Sequence, residues 1–245
     1  MTRPALLLIP GQLNDAELWR DQIAGLGERA DCTVPDITGG GDLESLAQAV
    51  LAAAPERFSL AGFSLGGYVA VEMARQAPQR IERLALLDTA IVPDSPARAR
   101  GRRQLEDLAA LPGRFHGFGN QLLRSYLAAG NLGNAAIVAR IRDMTERLGP
   151  EVFVRQSRIP RKDGGDVLAA LACPVLILCG EEDAITPLAD HAAMAALVPQ
   201  ASLVAVPGSG HMTPIEQPEA VTRALRDWLD RPLRRAHRPG RLSRS

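Results

Sequence analysis

The chain has 245 residues, 46% of them hydrophobic, and its 28 basic and 28 acidic side chains cancel at neutral pH. That length and apolar content suffice for one sizeable core with an insertion, so neither disulfides nor a structural metal is needed for folding. The balanced charge excludes a global field that would recruit nucleic acid or an anionic membrane. It hides one asymmetry: Arg231, Arg234, Arg235, Arg238, Arg241 and Arg244 fall in the last fifteen residues, which contain no Asp or Glu.

In chain order, the first element is Ala5-Leu6-Leu7-Leu8-Ile9, which follows a single arginine and stops at Pro10. It is too short for a signal-peptide core, and no other run approaches a membrane span, so a soluble cytoplasmic protein is expected. The three cysteines, Cys32, Cys173 and Cys179, form no Cys-x-x-Cys pair and read as core thiols of a reducing compartment rather than a disulfide or metal site. Further strand-like runs follow at 32–35, 58–62, 84–87, 175–179 and 202–206, most of them continuously apolar and therefore covered on both faces. Between them, helix-period segments span 17–29, 43–54, 68–76, 188–197 and 218–229. Strands alternating with such helices predict an α/β fold with a parallel, doubly wound sheet, because parallel neighbours need crossover connections.

The alternation fails from about residue 93 to 170, a stretch of amphipathic helical pattern broken by Pro112-Gly113, Gly130, Gly133 and Gly149-Pro150. The predicted organisation is a core in two parts, 1–92 and 171–230, with a helical lid over 93–170 above the carboxyl ends of the strands, where wound sheets bind ligands. Residues 231–245, with Pro232, Pro239 and Gly240 among the arginines, read as a basic disordered tail, or alternatively as a vector-encoded or partner-binding extension.

The chemistry centres on Gly62-Phe63-Ser64-Leu65-Gly66-Gly67, between the apolar run ending at Ala61 and the helical run beginning at Tyr68. Gly62 and Gly66 remove the Cβ atoms that would collide in so sharp a turn, and Ser64 is pushed into the open at a helix N-terminus. Taken alone, the motif also fits a glycine-rich turn with a solvated serine. A serine hydroxyl needs a base. His237 lies in the tail, His191 in a helical run and His116 in the lid; His211 follows the last strand in Gly208-Ser209-Gly210-His211-Met212-Thr213-Pro214, on the same rim as Ser64. A carboxylate must orient the imidazole. Gly180-Glu181-Glu182-Asp183 follows the preceding strand, and Asp183 is the candidate, with Asp88 in reserve. An oxyanion hole requires two backbone N–H groups: Leu65 after the serine, and Gln12 in the loop Pro10-Gly11-Gln12-Leu13-Asn14, with Leu13 second.

With these pieces in order, the chain resembles the α/β-hydrolase superfamily, specifically its lidded bacterial carboxylesterase-like serine hydrolases, over about residues 5–230. The resemblance rests on Pro10-Gly11-Gln12 with Trp19 downstream, the Ser64 motif, Cys173 to Asp183, and Gly210-His211 before Pro218-Glu219. It implies Ser64 as nucleophile, Asp183 as acid and His211 as base, with no metal or organic cofactor. Two departures stand out: Pro10-Gly11 replaces the family's frequent His-Gly, and the leading two-stranded hairpin is missing, which predicts a trimmed sheet of six strands.

The expected reaction is hydrolysis of a small carboxylic ester through an acyl-enzyme. Thioester or carbon–carbon bond cleavage on the same triad is the alternative, and a hydrolase-like ligand-binding protein is the reading from a different class. The expected partner is a small ester or acyl molecule, with neither nucleic acid nor membrane. Phe115, Phe118, Leu122, Tyr126 and Met144, with Leu123 and Phe153, are candidates for an acyl pocket, against the alternative that they are lid core. Arg98, Arg100, Arg102 and Arg103 form either a solvated helix face or an attractor for a carboxylate-bearing or carrier-protein substrate.

Overall fold

Continuous apolar strands imply a sheet with two covered faces, and the computed structural model of the chain contains one. It describes residues 3–233 except 110, 112–114 and 116, and of residue 108 the backbone alone. His116, the Pro112-Gly113 break and the tail from Arg234 onward lie outside the described residues. In chain order, β1 (Ala5–Ile9) is followed by a short 3-10 turn at Ala16–Trp19, α1 (Arg20–Leu26), β2 (Asp31–Thr33), α2 (Leu43–Ala53), β3 (Phe58–Phe63), α3 (Leu65–Gln76) and β4 (Ile81–Leu87). Then come α4 (Pro96–Ala109), α5 (Asn120–Tyr126), α6 (Ala135–Ser157) and α7 (Gly165–Ala170), with no strand among the described residues of this stretch. The chain closes with β5 (Val175–Gly180), α8 (Leu188–Ala196), β6 (Ser202–Val206), α9 (Thr213–Glu216) and α10 (Pro218–Leu229).

The six strands are all parallel, in the order β2-β1-β3-β4-β5-β6. Alternate residues of each central strand enter different cores, as the two-residue period requires. Leu7, Ile9, Leu60, Leu84, Leu86, Val175 and Ile177 pack with α2, α3 and Met194 of α8 on one face. Leu6, Leu8, Ala61, Phe63, Ala85, Leu87, Leu176 and Leu178 pack on the other with Leu26 of α1 and Val221, Leu225 and Trp228 of α10. The second core also takes Phe118, Leu123, Ile141, Met144 and Phe153 from the helices between β4 and β5, which joins those helices to the body.

Elements begin where local chemistry allows. The Asp42 side chain accepts the Ser45 N–H at 2.7 Å to start α2, and Asn134 caps α6 by accepting from Ala136 and Ile137. Three expectations need adjustment. β4 starts at Ile81 rather than Leu84, because Glu82 and Arg83 interrupt the apolar run yet find partners: Glu82 accepts from Arg57 at 3.0 Å and Arg83 donates to the Arg231 carbonyl at 2.8 Å. The helix expected from Glu17 to Arg29 is a capped 3-10 turn leading into a helix that ends at Leu26. Arg231, assigned to the tail, hydrogen-bonds the Val175 carbonyl and the Ser202 hydroxyl at the starts of β5 and β6.

Candidate active site

β3 delivers Ser64 and α3 starts immediately after it. The serine backbone sits at φ 51°, ψ −116°, a left-handed conformation that an L-residue holds only when its surroundings force it. Those surroundings are visible. A Cβ on Gly62 would lie 2.4 Å from the Gly66 carbonyl oxygen, and one on Gly66 would lie 2.3 Å from that of Pro10, so strand and helix approach to a distance only glycine permits. The Ser64 N–H donates to the Leu87 carbonyl at 3.0 Å, and the Thr89 hydroxyl donates to the Ser64 carbonyl at 2.7 Å. The strain is thus held from both sides by the end of β4.

The loops after β5 and β6 bring Asp183 and His211 to the same point. His211 Nε2 is 3.0 Å from the Ser64 hydroxyl, and His211 Nδ1 is 2.8 Å from Asp183 Oδ2. The carboxylate assigns the proton to Nδ1, which leaves Nε2 as the acceptor for the serine. His211 and Asp183 are 1% and 5% exposed. The imidazole lies between the rings of Phe63 and Tyr126, at 5.4 and 5.1 Å, and its backbone N–H donates to the Tyr126 carbonyl at 2.6 Å. Asp183 also accepts from the backbone N–H groups of Ile185 and Thr186 and from the Thr186 hydroxyl, at 2.8 to 3.0 Å. Burial alone would raise its carboxyl; the adjacent His211 and these donors outweigh that and hold it below its ordinary value. Asp88, the reserve acid, makes no hydrogen bond to His211. It accepts from the Gly180 N–H at 3.0 Å and from the Thr213 hydroxyl, and burial, with the nearby Asp183 charge, pushes it well up.

Opposite the helix N-terminus lies the loop after β1. Leu13 adopts φ 52°, and its N–H donates to Gln156 Oε1 at 2.8 Å, which occupies it. The Gln12 and Leu65 N–H groups have no hydrogen-bond partner among the described residues. The C-terminal end of α6 clamps this loop further, since Gln12 Nε2 donates to the Ser157 hydroxyl and the Phe153 carbonyl.

Above Ser64 opens a cavity of about 280 Å³. Gln12, Ser64 and Leu65 form its floor, and Phe118, Leu122, Tyr126 and Phe153 contribute apolar wall. Of the other pocket candidates, Met144 is fully buried with its sulfur against Asn14 and Asp15, Phe115 stacks on Phe153 at 5.7 Å, and Leu123 packs in the core; none of the three lines the cavity. Arg98 and Arg102, one turn apart on α4, do line it, whereas Arg100 and Arg103 are exposed. Among the described residues no group of three or more His, Cys, Asp and Glu is arranged to hold a metal ion, and no helix is long and apolar enough to cross a membrane.

Several residues that matter here escaped the sequence reading. Glu216, 6% exposed, accepts the N–H groups of Gly210 at 2.9 Å and Met212 at 3.1 Å with one oxygen, and those of Ala128 and the Asn131 side chain, both at 2.8 Å, with the other. It therefore binds the His211 loop to the chain after α5. A Glu five residues past His211 was the available signal, but nothing local distinguishes it from a solvated helix residue. His191 is buried; its Nε2 accepts the Thr89 N–H at 3.0 Å and its Nδ1 faces the Pro187 carbonyl, so it is a neutral strut. Arg161, between α6 and α7, reaches the cavity wall.

A parallel sheet carrying this strained serine beside a His–Asp pair defines an α/β hydrolase. The chain belongs to the alpha/beta hydrolase family, whose model matches residues 6–224. It is similar to the pimeloyl-[acyl-carrier protein] methyl ester esterase of Nitrosomonas europaea, at 28% identity over 88% of this chain and 92% of that one. It is also similar to the biotin biosynthesis bifunctional protein BioHC of Cellvibrio japonicus, at 27% identity over 94% of this chain, which spans only 48% of that protein. Among solved structures, a thermophilic esterase from Thermogutta terrifontis superposes with a TM-score of 0.83 at 32% identity, covering 93% of this chain and 90% of that one. The enol-lactonase from Burkholderia xenovorans LB400, at 24% identity and a TM-score of 0.79, shares the fold.

Proposed function

We propose that the protein is a serine hydrolase of small carboxylic esters, with Ser64 as nucleophile, His211 as general base and then acid, and Asp183 as the carboxylate that orients the imidazole. One observation carries this reading: the unbroken relay from Asp183 Oδ2 through His211 to the Ser64 hydroxyl, at 2.8 and 3.0 Å, beneath a cavity. Ser64 attacks the ester carbonyl while Nε2 takes its proton. The carbonyl oxygen becomes an anion between the Gln12 and Leu65 N–H groups, where the dipole of α3 also favours negative charge. Collapse expels the alcohol, protonated by His211, and water repeats the sequence to release the acid.

The helices from α4 to α7 act as the lid in this reading, since they supply the cavity wall over the serine and Gln156 secures the oxyanion loop from above. The curated relatives named as methyl ester esterases and the esterase structure support ester over thioester or carbon–carbon cleavage. Replacement of Ser64 by alanine is expected to lower kcat on methyl and 4-nitrophenyl esters by on the order of a million-fold with folding intact. Turnover that survives the replacement, followed by stopped-flow or titrimetric assay, would remove Ser64 from the mechanism.

A further inference from the structure

Three arginines reach the cavity beside Ser64, and two of them are balanced. Arg98 pairs with Asp190 at 3.2 Å and donates to the Ile185 carbonyl, and Arg102 pairs with Asp94. Arg161 differs. One of its nitrogens, Nη1, donates to the carbonyls of Ile159 at 2.7 Å and Gln156 at 3.4 Å, and its guanidinium lies 5.6 Å from the centre of the Tyr68 ring. Among the described residues no carboxylate stands within ion-pair distance of it, and Nε and Nη2 have no hydrogen-bond acceptor. Burial, followed by the like charge of Arg102, lowers its pKa to about 10, so it remains a cation at neutral pH.

A half-buried cation without a counter-ion is costly unless something else supplies the charge. Carbonyl oxygens and an aromatic face hold the group in place while two adjacent N–H donors stay open, an arrangement suited to a planar two-oxygen anion. The surplus charge is one. A carboxylate cancels it, whereas a phosphate dianion would leave a net negative charge in a low-dielectric space. The cavity that Arg161 and Ser64 both line has a largely apolar wall, to which Leu65, Leu105, Phe118 and Phe153 contribute. A cavity of about 280 Å³ lies at the small end of ligand pockets.

We propose that Arg161 is the anchor of a carboxylate subsite, and that the preferred substrate is a half-ester of a short dicarboxylic acid. Its free carboxylate sits on Arg161, its methylene chain on the apolar wall and its ester carbonyl at Ser64. This rests on the ester-hydrolase reading above and narrows its substrate. Hydrolysis breaks the acyl–oxygen bond, adds water and releases the alcohol and a dicarboxylate, and no other reactant is needed. The second negative charge, formed beside Asp183, favours product release.

The test compares monomethyl glutarate with methyl 5-methylhexanoate, in which an isopropyl group replaces the carboxylate. The wild-type protein is expected to have a kcat/KM at least tenfold higher for the half-ester. In Arg161→Gln the ratio of the two kcat/KM values should fall about thirtyfold, the scale of a charge-assisted hydrogen bond, and Arg161→Lys should recover part of it. A wild-type preference for the neutral ester, or a ratio unmoved in folded Arg161→Gln, overturns the subsite. Binding to Ser64→Ala by calorimetry decides independently of turnover and of the fate of the Arg161 variants. Tighter binding of the half-ester by tenfold or more supports the subsite even if the wild-type protein hydrolyses nothing, an outcome that sinks only the hydrolase reading. Equal binding of the two esters, with hydrolysis intact, sinks only the subsite.

Discussion

Glu216 receives four N–H donors from two chain segments; the backbone N–H groups of Ala128, Gly210 and Met212 are buried and would be stranded without it, while the Asn131 amide also donates to the Gly208 carbonyl. Glu216→Ala is therefore expected to destabilise the fold by about 3 kcal/mol, which for a chain of this size is a drop of roughly 6–12 °C in Tm. Because two of the donors flank His211, kcat should fall by about a hundredfold as the imidazole loses its register with Ser64. Glu216→Gln keeps one accepting oxygen and should lie between the two. Calorimetry paired with ester kinetics checks this; an alanine variant that melts with the wild type would mean these contacts carry no net weight. Arg161 shows the same principle in reverse, since its meaning comes from a partner that the described residues do not supply.

The Ser64 turn and the loop after β1, with Leu13, are strained segments pinned by neighbouring elements. α6 spans 23 residues and bends at Gly149, φ 78°, before Pro150, and the bend aims its last turn at the loop after β1. There Gln156 accepts from Leu13 and donates to the Ile37 carbonyl at 3.2 Å, so one fully buried side chain ties α6 to two loops of the sheet. Gln156→Leu keeps the bulk and removes both bonds. The Leu13 N–H is then free to turn, and kcat is expected to fall ten- to a hundredfold with KM little changed, as befits loss of oxyanion alignment. Steady-state kinetics on one ester suffices, and an unchanged kcat in a folded variant would show that the loop keeps its shape without α6.

At the scale of the whole molecule, buried titratable groups around the site set opposing pH dependences. Asp88 and Glu216 are raised, chiefly by burial, so the folded chain keeps protons that the unfolded chain has released above about pH 4. Their contribution to stability is lost as pH climbs through the folded values. Asp183 and His191 are lowered, so theirs is present above their ordinary values and drains away on acidification, below about 6.5 for His191 and about 4 for Asp183. Asp88→Asn is nearly isosteric and can still accept from Gly180, while removing the Asp88 proton. Its urea midpoint relative to the wild type should improve steadily from pH 5 to pH 8. A difference that stays flat across that range would mean Asp88 titrates alike in the folded and unfolded chain.

The sheet, its six parallel strands and the family were legible in the amino-acid order because they are written in short-range signals: apolar runs of strand length, helical periodicity between them, and glycines spaced two residues either side of a serine. Ser64, Asp183 and His211 were nameable for the same reason, each following a strand and each of a type that acyl chemistry needs. The starts of β4 and α1 were not legible, since Arg83 and Glu82 become tolerable in a strand only through partners at Arg231 and Arg57. Nor were Glu216, Gln156 and Arg161, whose importance depends on groups 85 to 143 positions away or on a space lined by several elements. Local composition specifies which segments coil, extend or turn; whether a buried charge is satisfied is a property of its three-dimensional surroundings, which folding alone assembles.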